Sequence, residues 1–395
     1  MKRKTLLLAV VAVIAALFVA ACGSDPTAVP AATNTPAAGD PTMAPDSTTA
    51  PTTTPQPTST TAPGQATPTR VVPTATPTAA PVVVEEVKID FLIAWSELVD
   101  AIGDGYFPLR DAIEGLSGGA MTVNTIGPDA VHAFEQLAPV RDGVFDMLFT
   151  HGSYHADFTT LASAFDLAAA TPAVWEECGA SDLLRQAYQD NVGVRFLGFL
   201  PTDLGYRFMT KELQPIPDLT GLKLRGSAAF EPLYSALGGI TVNLPITEVY
   251  TALQKDIIDG LAMGAPEAIA YKFKFYEVAS YLYGPPFSAS GITLIANNDW
   301  WHALSDAQQD VINRSVAHAQ TEYRNNSQSK VGEYLSLLEG EGVTLVDLSG
   351  AENAVLQDTY FNSTMDKFIT NADPVYGRRM TDITNCAKAR EGWPN

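Results

Sequence analysis

From Gly23 to about Pro81 the chain is dominated by Thr, Pro and Ala and carries no aromatic residue. Such a tract cannot bury enough apolar surface to offset the entropy of ordering it. Everything folded must therefore come from Val82 to Asn395, about 310 residues. That length is too great for one simple core and suits two lobes. The Pro-rich composition makes residues 22–84 a semi-extended tether rather than a random coil. It also permits, without showing, O-glycosylation of the threonines.

A targeting segment, residues 1–21, precedes the tether. Lys2, Arg3 and Lys4 form a basic start, and Leu6 to Ala21 is an apolar run ending in small residues. The run is short for a membrane span, which needs about 20 residues. Val19-Ala20-Ala21-Cys22 then places a thiol directly after the small residues. That pattern resembles a bacterial lipobox, in which Cys22 is diacylated and becomes the new N-terminus. The expected location is outside the cytoplasm, anchored by lipid to the outer face of the cytoplasmic membrane. Two acyl chains anchor stably where one binds only marginally. The alternative is an ordinary signal peptide with an incidental cysteine. Only Cys178 and Cys386 remain. Outside the cytoplasm they form one disulfide or stay as two buried thiols, and the sequence leaves both open.

The chain is acidic, with 44 Asp+Glu against 24 Lys+Arg and a formal charge of −20. Loss of the three basic residues at the start takes it to about −23. Nucleic acid and anionic lipid surfaces, which want cationic patches, are poor partners for it.

Strand-like runs recur with helical stretches between them. They are 87–94, 121–126, 144–150, 194–200, 206–210, 223–225, 241–244, 260–263, 291–296 and 344–348. The alternation predicts an α/β fold with mostly parallel sheets. One helix is unusually long. Ser305 is a suitable N-cap, Gly340 to Gly342 is the stop, and Ile312, Val316, Ala319 and Tyr323 keep one apolar stripe. A helix of that length can brace two lobes, with a kink or break expected around Asn325 to Ser327.

The motifs of catalysis are weak. Gly115-Leu-Ser-Gly-Gly119 has the spacing of a nucleophile elbow. The elbow needs a strand before and a helix after, and here the order is reversed, so a helix end and turn are expected. His151 and His155 have the spacing of two metal ligands on a helix, but Gly152 weakens a helix and no Glu-x-x-His or cysteine cluster supports them. No phosphate-cradling glycine loop and no pair of catalytic carboxylates stands out. No catalysis, metal or cofactor is expected. His151, Ser153 and Tyr154 follow one strand, and Trp95 and Ser96 follow another. Ligands of α/β sheets bind at such carboxyl ends. For Trp95 the competing expectation is plain core packing.

Arg225 ends a short apolar run in an acidic chain. It is either half of a surface ion pair or the anchor of an anionic ligand, since guanidinium matches a carboxylate with two parallel hydrogen bonds. Its surroundings favour the second reading. Gly205-Tyr-Arg-Phe-Met-Thr210 precedes Pro217-Asp-Leu-Thr-Gly-Leu-Lys-Leu-Arg-Gly226. Leu237 to Pro245, Glu248 to Gln254, Asp259-Gly260 and Lys274 to Tyr281 follow, then Asn297-Asn-Asp-Trp-Trp301 before the long helix. In that order and spacing the blocks resemble the solute-receptor subunit of TRAP transporters, which import organic acids.

The resemblance implies a two-lobed periplasmic-binding-protein-like fold, type II-like, with mixed sheets and a ligand cleft between the lobes. Lobe I is expected over 85–202 and 291–330, lobe II over 203–290 and 331–395. It also implies a monomeric binder, not an enzyme, that hands a carboxylate to TRAP membrane permease subunits. Arg225 matches the signature carboxylate anchor and Arg207 a second arginine that supports it. Where the family commonly carries Gln-Glu-Asn after Asp-Gly, this chain has Leu261-Ala-Met-Gly-Ala-Pro266. Met263 and its neighbours make a more apolar wall, which points to a monocarboxylate with an apolar or aromatic body. A sensor or scavenger of the same fold without a permease, or a receptor of another transporter class, is the competing reading.

Overall fold

The computed structural model describes residues 85–202, 204–264 and 266–391. Cys22 and the tether lie outside the described residues. The strands are β1 Val87–Ile93, β2 Met121–Ile126, β3 Met147–His151, β4 Val194–Thr202, β5 Tyr206–Thr210 and β6 Lys223–Gly226. They continue as β7 Ile240–Asn243, β8 Gly260–Gly264, β9 Tyr281–Gly284, β10 Ser290–Asn297 and β11 Thr344–Asp347. The helices are α1 Phe107–Leu116, α2 Leu137–Arg141, α3 Pro172–Glu177, α4 Ala180–Asn191, α5 Glu231–Ala236 and α6 Val249–Gln254. After them come α7 Pro266–Lys272, α8 Asn298–Ala303, α9 Asp306–Ser329, α10 Val331–Gly340, α11 Gly350–Thr364 and α12 Gly377–Glu391.

Two sheets result, in the orders β2-β1-β3-β10-β4 and β11-β9-β5-β8-β6-β7. Both are mixed rather than mostly parallel. In the first, β10 runs against β3 and β4. In the second, β5 runs against β8 and β9. The cause is connectivity: β4 leads directly into β5 and β9 into β10, so the chain enters each sheet from the other instead of returning over a helix.

Alternation along the strands explains why both faces of the first sheet are apolar. Ile89, Phe91 and Ile93 of β1 join Phe149 and Tyr106 on the face covered by α1 and α9. Leu92 and Leu148 point the other way, toward Phe165, Trp175, Phe196 and Phe199. The sequence places the third strand at Val144, but the strand begins at Met147. Asp146 accepts the Asp90 N–H at 2.8 Å, which turns the chain first, and Val144 is left exposed. Strand β9 carries only four residues and gave no signal of its own.

The long helix is two helices. Ser305 and Gln308 form a reciprocal capping box at the start of α9. The break comes at Lys330, after the expected Asn325 to Ser327. Gly198 of β4 lets α9 approach closely, since a Cβ there would meet Val316 at 2.8 Å. Helix α12 lies against α3 and α4, where Cys178 and Cys386 form a disulfide. Gly115 to Gly119 is the predicted helix end and turn, with Gly118 and Gly119 at positive φ.

The two direct strand-to-strand connections between the sheets, β4 to β5 and β9 to β10, touch each other. The Tyr206 N–H donates to Ser288 Oγ at 2.9 Å, and the Phe287 N–H donates to Tyr206 O at 2.9 Å. A Cβ on Gly205 would lie 1.5 Å from Ser288 O. Gly205→Ala should therefore cost about 3 kcal/mol or separate the connections, a clash with backbone having no side chain to yield. Gly115→Ala, in open space on a helix, should instead be neutral or stabilising by up to about 1 kcal/mol. Urea unfolding of the two variants checks both.

His155 is fully buried beside Tyr188, with Nε2 and Oη 2.6 Å apart. Burial, and secondarily His151, pushes its imidazole from the ordinary 6.5 down to about 3. The unfolded chain takes up a proton near 6.5 that the folded chain refuses until about 3. This contribution is therefore lost as pH falls through that window, at about 1.4 kcal/mol per pH unit. Melting temperatures between neutral and acid pH should fall less steeply in His155→Gln, which keeps a partner for Tyr188.

Candidate functional site

A cavity of about 770 Å³, its mouth included, opens between the two sheets. The side of the first sheet contributes Trp95 after β1, His151 at the end of β3, Tyr154 just beyond it, and Ile292 of β10. The side of the second contributes Arg225, Phe230, Met263 and Ile269. Tyr323 and Ser327 of α9 line it too, so the long helix is part of the site.

Arg225 sits in β6, between β7 and β8. Alternation sends Leu224 into the core behind the sheet and Arg225 to the opposite face. The Tyr234 hydroxyl pins this position. It donates to Arg225 O at 2.9 Å and accepts the Ala262 N–H at 3.0 Å, stitching β6 to β8. Arg225 is 4% exposed. Its Nε donates to Leu244 O at 2.8 Å, and its Nη2 is buried without a hydrogen-bond partner among the described residues. No described carboxylate pairs with it, so the surface ion-pair reading has no partner to offer. A buried guanidinium with donors to spare calls for an anion.

Trp95 packs in the core and also borders the cavity. It is 7% exposed and packs edge-on against Phe149. Its Nε1–H donates to Tyr154 Oη at 3.1 Å, which leaves an apolar face for the cavity. His151 accepts the Ser153 N–H at Nδ1, 3.2 Å away, with Ser153 Oγ at 2.8 Å. The ring proton therefore sits on Nε2, which faces Tyr206 Oη at 3.0 Å and Asp166 Oδ1 at 3.3 Å. Both nitrogens are committed to protein partners. Burial above all, and then Asp166, pushes the Tyr206 hydroxyl well above its ordinary 10. The imidazole of His155 is held by Tyr188, and no described residues form a group able to hold a metal.

Trp95, His151, Arg225 and Met263 thus meet at one cavity. Arg207 does not line it. Its Nε lies 2.9 Å from Glu267 Oε1, and a Cβ on Gly284 would meet its Nη1. Burial pushes the Glu267 carboxyl up, and Arg207 pulls it back. Arg207 is engaged in an internal ion pair with Glu267. Sequence reasoning passed over Asp100, Tyr206, Phe230 and Tyr323. It also missed Asp166, although a lone acid inside Leu161 to Ala170 was a signal that a buried partner was needed.

Residues 107–371 match the family model of the bacterial extracellular solute-binding proteins, family 7. A solute-binding protein of Roseobacter denitrificans is 30% identical over 173 residues, which is 42% of this chain and 52% of the relative. The sialic acid-binding periplasmic protein of Vibrio cholerae is 29% identical over 137 residues, 34% of this chain and 42% of the relative. The chain thus spans about half the length of these curated relatives. A TRAP periplasmic solute-binding protein from Desulfovibrio salexigens, solved with bound orotic acid, superposes with a TM-score of 0.69 at 18% identity. That likeness covers 77% of this chain and 99% of the other, and it establishes the two-lobed fold. With a family model spanning most of the folded part, this chain belongs to family 7 of the bacterial extracellular solute-binding proteins.

Proposed function

We propose that this chain is the extracytoplasmic receptor of a TRAP-type importer, capturing an organic carboxylate between its lobes and delivering it to membrane permease subunits. The observation that carries the reading is the Arg225 guanidinium, buried at the cavity wall with Nη2 unpartnered. A carboxylate there would complete its donors in pairs. Lobe closure would exclude water and strengthen that pairing. The ligand must touch both lobes, because only a difference in affinity between open and closed forms can shift their balance.

The other walls, Trp95, Phe230, Met263, Ile269 and Ile292, favour an apolar or aromatic body on a single carboxylate. Orotic acid, bound by a relative of the same fold, is a flat ring with one carboxylate. Trp95, His151 and Met263 would shape the cavity, and Arg225 would fix the ligand's end. Lipid attachment at Cys22 would hold the receptor at the membrane surface, with residues 22–84 supplying reach; among the described residues no helix is long and apolar enough to cross a membrane.

A thermal-shift panel of organic acids on the full chain tests this. A ligand at 100 times its Kd should add about 2.7 kcal/mol to stability. Arg225→Lys should weaken every carboxylate ligand about tenfold or more, one charge-assisted hydrogen bond being worth about 1.5–3 kcal/mol. Unchanged affinity in that variant would return Arg225 to a structural role. A preference for hydrophilic sugar acids, with no affinity for apolar acids, would overturn the assignment of the ligand body.

A further inference from the structure

Among the described residues, the cavity wall carries Arg225 and one acid, Asp100. Asp100 follows β1 on the side of the first sheet, where its carboxylate is mostly buried. Lys272 closes α7, which follows β8 and packs against β5 of the second sheet. The two side chains form an ion pair, Lys272 Nζ to Asp100 Oδ1. The pair therefore joins the two sides of the cleft while its acid faces the ligand space.

The neighbouring charges are already matched. Lys330, at the break between α9 and α10, pairs with Asp104 at 2.6 Å, and Arg207 pairs with Glu267. The cavity thus offers one cation with donors to spare and one acid engaged in holding its walls together. A ligand with a single carboxylate satisfies Arg225 and leaves the pair intact. Among the described residues lining the cavity, a second carboxylate finds no second cation. It meets Asp100 as a like charge and competes for Lys272, and capturing Lys272 would cut the connection that closes the cleft.

We propose that the Asp100–Lys272 pair is an interlobe tie that also sets ligand charge, so that the closed cavity accepts one carboxylate and rejects a second. The inference rests on the carboxylate-receptor reading above. It makes Asp100 a specificity residue and Lys272 its partner across the cleft.

Matched ligands that differ only by a carboxylate read this directly: benzoate against isophthalate, and valerate against glutarate, titrated calorimetrically into the full chain. The wild type should favour each monocarboxylate by about tenfold or more, the scale of a like-charge clash. Asp100→Asn keeps the shape and removes the charge, and should narrow that ratio about tenfold. Lys272→Met should weaken both members of each pair alike and keep the preference, since it loosens the tie and leaves the acid. An unchanged ratio in Asp100→Asn, or a wild type that prefers the dicarboxylates, overturns the proposal while the receptor reading stands. If no carboxylate binds the wild type at all, the receptor reading falls and this inference with it.

Discussion

A guanidinium held in the interior without a carboxylate is the constraint around which the rest of this protein is arranged. Burying a charge is costly unless it is paired, and protein groups here supply only part of the pairing. The Leu244 carbonyl takes Nε, and the sheet holds the residue in place through the Tyr234 hydroxyl. The remaining donors face a cavity built from two sheets and a long helix. An anion from outside is the natural complement. In the proposed receptor, an anion's pairing with Arg225 would offset the cost of burying that charge.

The cleft depends on how the chain passes between the sheets. Two connections cross side by side, held by Ser288 and by a glycine whose missing side chain makes room for a backbone carbonyl. Such a crossing suits a hinge about which the two sheets can rotate. Away from the hinge, an ion pair across the cleft brings together groups about 170 residues apart in the chain. Anchor, hinge and tie are separate pieces of chemistry, yet each is needed for a cavity that closes on one charged group.

Part of the candidate site was legible before any coordinates. Arg225 stood out because a cation at the end of an apolar run in an acidic chain wants a reason, and Trp95 and His151 because they follow strands. Arg207 shows the limit of motif transfer. Its place in the chain matches a second anchor, but the acid that neutralises it, Glu267, lies 60 positions away, and no local pattern joins them. Asp100 and Tyr323 likewise look like ordinary surface and core residues until the fold brings them to one wall. The metal reading of His151 and His155 fails for a geometric reason: the turn between them points one ring at Tyr206 and the other at Tyr188.

The sequence by itself determined the α/β layering, most strand positions, the capped start of the long helix and the place of Arg225 at a strand end. These depend on local composition, side-chain periodicity and capping, which act over a few residues. Only the tertiary structure decided which strands of each sheet run antiparallel, that Cys178 meets Cys386, that Arg207 pairs with Glu267 and that Asp100 ties to Lys272. Those outcomes depend on which distant segments become neighbours, because pairing of charges, thiols and strands is settled by distance in space.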